Sequence, residues 1–317
     1  MLLIIFARLN GGLTMNIREL RNMFPALSRT VYGKQLVYFD NAATAQRSQS
    51  VIDKWTQLTI GANANIHRAV HKLAVDATDE YESTRDAVKE YINAAAREEI
   101  VFTSGTTGSI NLVAFSFGET FVNKGDEIIV SESEHHSNIV PWQMLCQRKG
   151  AVLRVLHVDE DGHLNLEELK SLLNPKTRIV AVTQISNVLG ILNPVKEIVS
   201  VCHSVGCPVL IDGAEGMVHE GVDVQDVDCD FYAFSGHHLY AATGTGVLYG
   251  KRKWLDQMVP YQGGGEMIAT VRFSGTTYAP LPEKFEAGTQ NINAIPTLKP
   301  AIEMLKLMKD KEYGGLN

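Results

Sequence analysis

Thr103-Ser-Gly-Thr-Thr-Gly-Ser109 follows a β-rich run, Ile100–Thr103, and opens a helical pattern. The free N–H groups and positive dipole end of a helix start attract phosphate. Gly105 lets the backbone come close to a ligand, and Thr106 and Thr107 add hydroxyl donors. The same pattern also suits an ordinary strand–helix turn. Glu134-His135-His136-Ser-Asn138 follows the next strand. A single histidine is more often a surface or core residue than a working one, but His135 stands at a strand end. Val209-Leu-Ile-Asp-Gly-Ala-Glu-Gly216 is an apolar run closed by Asp212, which can cap the following turn or serve as a buried anion. Asp230-Phe-Tyr-Ala-Phe-Ser-Gly-His-His-Leu-Tyr240 places Ser235, His237 and His238 after another such run.

These motifs need a scaffold that brings strand ends together. Strands are predicted at 100–103, 127–131, 152–156, 178–183, 209–212, 231–234 and 246–249. Helices are predicted at 76–91, 107–117, 138–149, 165–173, 194–205 and 296–311. Short apolar runs without alternation suit strands covered on both faces. Strand–helix alternation implies a largely parallel, doubly wound α/β sheet, in which ligands bind outside the carboxyl ends of the strands. The motifs fall at such ends.

Composition narrows the partners. The 317 residues carry a net charge of −7, with 45% apolar and 21% charged residues, ordinary for a soluble globular protein. No basic stripe points to nucleic acid and no polybasic segment to a membrane surface. Leu2–Phe6 is too short to span a bilayer. The four cysteines, Cys146, Cys202, Cys207 and Cys229, form no CxxC pair and no zinc-site spacing. No metal is expected, and buried reduced thiols suit a cytoplasmic location.

From about Met15 to about Leu307 the motifs resemble, in order, those of the Suf/Csd-type (group II) cysteine desulfurases. These are class V aminotransferase-like enzymes that use pyridoxal 5′-phosphate (PLP). The resemblance implies the fold type I of PLP-dependent transferases, with a mostly parallel seven-stranded sheet flanked by helices. It implies that Thr106, Thr107, Ser235 and His237 hold the phosphate and that His135 stacks on the pyridine ring. Asp212 matches the acid that pairs with the pyridinium nitrogen. Gln184 and Asn187 match residues beside the ring and the substrate carboxylate. Glu215 stands where the family has a glutamine that bonds the phenolic oxygen. Ala42 and Ala43, in Asp40-Asn-Ala-Ala-Thr44, match the substrate-side loop. His67 and Arg68, in Asn63–His71, match a loop that reaches into a neighbouring subunit. Thr289 matches a phosphate ligand given across a dimer, so a homodimer is implied.

His238 occupies the position of the family's Schiff-base lysine. An imidazole cannot make that linkage, which needs a primary amine, so bound PLP is expected to be non-covalent. Gly108 and Ala241-Ala-Thr-Gly244 also depart from the family pattern. The family removes sulfur from L-cysteine, giving alanine and a persulfide that supplies iron–sulfur cluster assembly through a Suf-type acceptor. Its mobile cysteine and carboxylate-binding arginine lie in a C-terminal small domain, which residues 296–317 are expected to begin. Residues 1–14 are expected to be an extension or a misassigned start, 15–45 an N-terminal segment, and 46–295 the large PLP domain. The expected activity is desulfurase descent with function impaired or absent. Three other readings stay open. One is a pseudoenzyme that dimerises with an intact paralogue. Another is an enzyme using non-covalent PLP or pyridoxamine phosphate with His238 as its base. The last is a truncated sequence.

Overall fold

The computed structural model describes residues 17–68 and 70–310. The expected extension 1–14, the family-like start at Met15 and the last residues, 311–317, lie outside them. The chain divides into two compact units. The first comprises residues up to 88, Gly236–Thr245 and residues from 291 on; the second comprises Lys89–Ser235 and Gly246–Gln290.

In the first unit, α1 (Ile17–Asn22) precedes a two-residue ladder of β1 (Thr30–Val31) and β2 (Lys34–Gln35). Helix α2 (Gln49–Gly61) buries Val51 and Leu58. Helix α3 (Lys72–Tyr91) buries Ala74, Ala77, Tyr81, Thr84, Arg85 and Val88. That recurrence every three or four residues is one helix face. It extends a turn earlier than the pattern from residue 76 suggests, and Arg85 on it is a buried cation. A helix over Leu298–Asp310 also belongs here.

The second unit is built on seven strands: β3 (Ile100–Thr103), β4 (Glu127–Ser131), β5 (Val152–Leu156), β6 (Thr177–Thr183), β7 (Val209–Asp212), β8 (Phe231–Ser235) and β9 (Gly246–Gly250). Their spatial order is β3-β9-β8-β7-β6-β4-β5. Pairings β5–β4–β6–β7–β8 are parallel, and β9 runs antiparallel between β8 and β3. The ends Thr103, Ser131, Thr183, Asp212 and Ser235 therefore gather at one side of the sheet. Gly246 joins them at the start of the reversed strand, in register with both Thr103 and Ser235.

Strands β4, β7, β8 and β9 are wholly buried, as apolar runs without alternation require. β5 departs from that expectation. It is the sheet edge, and Val152 and Val155 are exposed. Helix α4 (Thr106–Phe121) runs four residues past its expected end, because Phe117 and Phe121 pack edge-on against Trp254. The other expected helices appear as α5 (Val140–Lys149), α6 (Leu166–Leu172) and α7 (Val195–His203). A ribbon of β10 (Ile268–Arg272) and β11 (Gly275–Tyr278) was not legible in the sequence. Among the described residues no helix is long and apolar enough to cross a membrane.

Candidate active site

The turn from β3 into α4 is shaped by close backbone approach. Gly105, at φ +144°, opens the helix. A Cβ built on Gly246 would lie 2.3 Å from the Gly105 Cα, so β9 can pass the turn only as glycine. The Thr106 N–H donates to Ser235 Oγ at 2.7 Å, and the Thr106 and Ser235 hydroxyls are also 2.7 Å apart. Thr103 and Ser109 hydroxyls pair at 2.8 Å. The two ends of β3 and β8 are thereby tied by hydroxyls around the first turn of α4, whose N–H groups are the natural seat of a phosphate. Thr107 is exposed and Thr106 buried.

Beside this turn's strand ends lie three buried acids. Asp212, 3% exposed, closes β7, and its Oδ1 accepts from Ala214 N–H at 3.0 Å. Burial raises its pKa to about 6, against the lowering effect of the Ala214 bond. No cation pairs with it among the described residues. A buried carboxylate without a counter-charge is costly, so this site favours a cationic group. Glu215 is raised to about 7, by burial first and by Asp212 second; His219 Nε2 lies 3.8 Å from it.

Glu134 is the third acid, and its role was not legible in the sequence. It joins three segments. One oxygen accepts from Thr183 N–H at 2.8 Å and meets the Ser131 hydroxyl; the other accepts from Asn138 Nδ2 at 2.6 Å. Asn138 in turn accepts from Trp142 Nε1 at 2.9 Å. Burial raises the Glu134 pKa to about 8, with Asp212 adding to it and the bonds from Ser131, Asn138 and Thr183 opposing it. Ser131 Oγ, Thr183 N–H and Asn138 Nδ2 all donate to the carboxyl and favour its charged form, and burial outweighs them.

Glu134 thereby holds the loop that carries His135. His135 is exposed, and its Nδ1 accepts from the Ser137 backbone N–H at 3.1 Å. A backbone N–H only donates, so neutral His135 carries its proton on Nε2. Burial and then the neighbouring His136 lower its pKa, favouring the neutral ring. Gln184 is committed elsewhere: Tyr232 OH donates to its oxygen, and its amide donates to Gly221 O at 3.1 Å. Asn187 and Thr289 are exposed.

Two measurable consequences follow from these acids. Each keeps its proton in the folded chain at a pH where the unfolded chain has lost it. The folded state is favoured at low pH, and stability falls as pH rises from about 4 through about 6, 7 and 8. Urea unfolding of cofactor-free protein should show that decline, and Glu215→Gln should recover about 1–2 kcal/mol at about pH 9; an unchanged slope would contradict the assignment. Glu134→Gln should cost about 1–3 kcal/mol at neutral pH, because both oxygens face N–H donors and either amide orientation meets one of them.

The remaining predicted residues belong to the first unit. Gly236–Thr245 starts with a turn closed by Leu239 N–H and Ala241 N–H, both donating to Gly236 O at 2.9 and 2.8 Å. His237 and His238 are half-buried, with ring centroids 4.2 Å apart. Ala45 N–H donates to His237 O at 3.0 Å. The loop bearing Ala42 and Ala43 is thus tied to the histidine pair. Burial lowers the His237 pKa, and Arg47 lowers it further. Arg68 and His67 lie on the loop before α3, where His67 approaches Glu82 at 3.2 Å.

A mostly parallel α/β sheet with a phosphate-type turn and a buried, unpaired acid at its strand ends is the architecture of the PLP-dependent transferases of fold type I. The Aminotransferase class-V family matches residues 37–313. A cysteine desulfurase from Enterobacter sp. (strain 638) is 50% identical over 293 residues, covering 92% of this chain and 72% of that protein. One from Synechococcus elongatus is 49% identical over 296 residues; the alignment covers 93% of this chain but 47% of its own length. The crystal structure of the cysteine desulfurase CsdA (S-sulfonic acid) from Escherichia coli superposes with a TM-score of 0.84 at 41% identity, over 92% of this chain and 72% of that one. The chain belongs to the class-V aminotransferase family, among the Suf/Csd-type cysteine desulfurases, a family of PLP-dependent enzymes.

Proposed function

We propose that this chain binds PLP without a covalent tether and does not desulfurate L-cysteine by itself. The observation that carries the first part is Asp212, a buried carboxyl with no cationic partner among the described residues. A pyridinium N–H would supply that partner. Thr106, Thr107, Ser235 and the start of α4 would hold the phosphate. His135, neutral and with its proton on Nε2, would face the ring. His237 is proposed as a further phosphate contact, with Asn187 beside the ring and Glu215, its pKa raised to about 7, near the phenolic oxygen. PLP, when bound, supplies an electron sink for bonds at the carbon bearing an amino group.

The second part rests on the thiols. All four cysteines are buried, and burial raises each of their pKa values, that of Cys202 to about 12. A buried neutral thiol is a poor sulfur acceptor. L-Cysteine is the proposed ligand, and the cytoplasm the proposed location. A homodimer is proposed on the same family ground, supported by the ribbon β10–β11. Both its strands are exposed apart from Ile268, and Phe273 at its tip is fully so. A two-stranded ribbon gains little stability alone in water, so a covering partner fits it. A Suf-type protein is the proposed sulfur acceptor of any complete assembly.

The deciding experiment adds PLP to the purified chain, removes the excess and records the absorbance before and after borohydride. The expected result is retained cofactor that dialyses away from unfolded protein after reduction. Ser235→Ala, which removes both bonds to Thr106, should weaken retention about tenfold. No retention by the unmodified chain refutes the proposal.

A further inference from the structure

Gln184 bonds both ends of the segment that carries Asp212 and Glu215. Its backbone N–H donates to Asp212 O at 2.9 Å, and its side-chain amide donates to Gly221 O at 3.1 Å. A carbonyl only accepts, so Nε2 faces Gly221 and Oε1 faces the Tyr232 hydroxyl, which must donate. Burial, then Cys229, Asp212 and Tyr91, push the Tyr232 pKa well above its ordinary value, so that proton stays in place. Tyr232 is fully buried and Gln184 is 5% exposed.

The segment packs directly on this pair. A Cβ on Gly213 would lie 2.0 Å from Tyr232 Cζ, and one on Gly216 would lie 2.2 Å from Gln184 Oε1. A larger residue at either position would have to displace a side chain that is already pinned. Gly213 N–H donates to Ala233 O at 2.8 Å, and Gly221 N–H donates to Gly216 O at 2.9 Å. We propose that Tyr232 and Gln184 are a positioning pair, which acts through residues 212–221 to set the Asp212 carboxyl for the ring nitrogen of PLP. The assignment rests on the cofactor reading given above. It gives Gln184 a part different from the one the resemblance implies, behind the acid instead of beside the ring. The other acids that act on Asp212 are Glu134 and Glu215, both buried.

The test sets Tyr232→Phe and Gly216→Ala beside Trp254→Phe, which removes one hydrogen bond to the buried Asp230 at the opposite end of the sheet. Tyr232→Phe takes the donor from Gln184 Oε1, and Gly216→Ala pushes on the same oxygen while keeping every hydrogen-bonding group. All three should lower stability in urea. Asp212 is followed by ¹³C NMR of the aspartate-labelled, cofactor-free full chain and assigned through Asp212→Asn. Tyr232→Phe and Gly216→Ala should lower its proton affinity about tenfold, as water reaches the loosened carboxyl, and Trp254→Phe should leave it in place. PLP affinity, measured by equilibrium dialysis, should fall about tenfold in the first two variants and stay within about twofold in the third. An Asp212 titration or a PLP affinity unchanged in Tyr232→Phe, or moved equally by Trp254→Phe, overturns the assignment. Should Tyr232→Phe not fold, Gly216→Ala decides by the same criteria. If the unmodified chain retains no PLP, the functional reading falls, while an Asp212 titration moved by Tyr232→Phe still upholds the pair as what sets that carboxyl.

Discussion

His238→Lys should convert a chain that loses all its PLP on reduction and unfolding into one that keeps it covalently. The imidazole of His238 has no primary amine with which to form a reducible carbon–nitrogen bond. The turn is closed by Leu239 and Ala241 N–H on Gly236 O, and Ala45 N–H holds His237 O. A lysine can therefore be introduced without removing any of those bonds. Its half-buried position also favours the neutral amine that attacks an aldehyde. Mass spectrometry after borohydride would show the change as one added cofactor mass per chain. Alanine release from L-cysteine should remain at background in the same variant, because the four buried thiols are unchanged. Covalent retention by the unmodified chain would overturn the proposal, since it would require another lysine to serve.

Asp230→Ala should be the most destabilising single change outside the proposed site, by about 3–5 kcal/mol. Asp230 is fully buried before β8, at the end of the sheet opposite the strand termini that carry the site. It accepts from Trp254 Nε1 at 2.6 Å, His203 Nε2 at 2.7 Å and Val209 N–H at 2.9 Å, with Lys253 Nζ at 3.2 Å. His203 also reaches Asp228 at 3.2 Å, and Lys251 pairs with Asp228. Removing the carboxylate strands these donors and an excess of positive charge. Urea unfolding at neutral pH measures the loss, and a change below about 1 kcal/mol would mean that solvent replaces the network. Burial pushes the Asp230 pKa up, but the bonds from Trp254, His203 and Val209 and the charge of Lys251 leave it below its ordinary value. Its contribution is therefore present above about pH 4 and is lost as pH falls through the folded value. That is the opposite slope to Glu134, Asp212 and Glu215, so the two ends of one sheet have opposite pH responses.

Much of the scaffold could be read from local sequence. Buried strands announce themselves as unbroken apolar runs, and β3, β4, β7 and β9 lie within a residue of their expected bounds. The ribbon β10–β11 was missed because its threonines and glycine give no apolar run, and its pairing is decided by cross-strand bonds such as Thr270–Thr277. The position of Thr106, Asp212 and Ser235 at strand ends was legible for the same reason as the strands themselves. Glu134 was visible only as part of a motif, since nothing in its neighbours says that its two oxygens join β4, β6 and Asn138.

The amino-acid order alone determined the family, the run of strands and helices, and the absence of a lysine at position 238, because each is a property of residue type and spacing. Only the tertiary structure decided which acids have raised pKa values, which thiols are buried, and which nitrogen of His135 carries the proton. Those depend on burial and on donors brought from distant segments, as Thr183 is brought to Glu134 and Trp254 to Asp230, and no local pattern encodes such encounters.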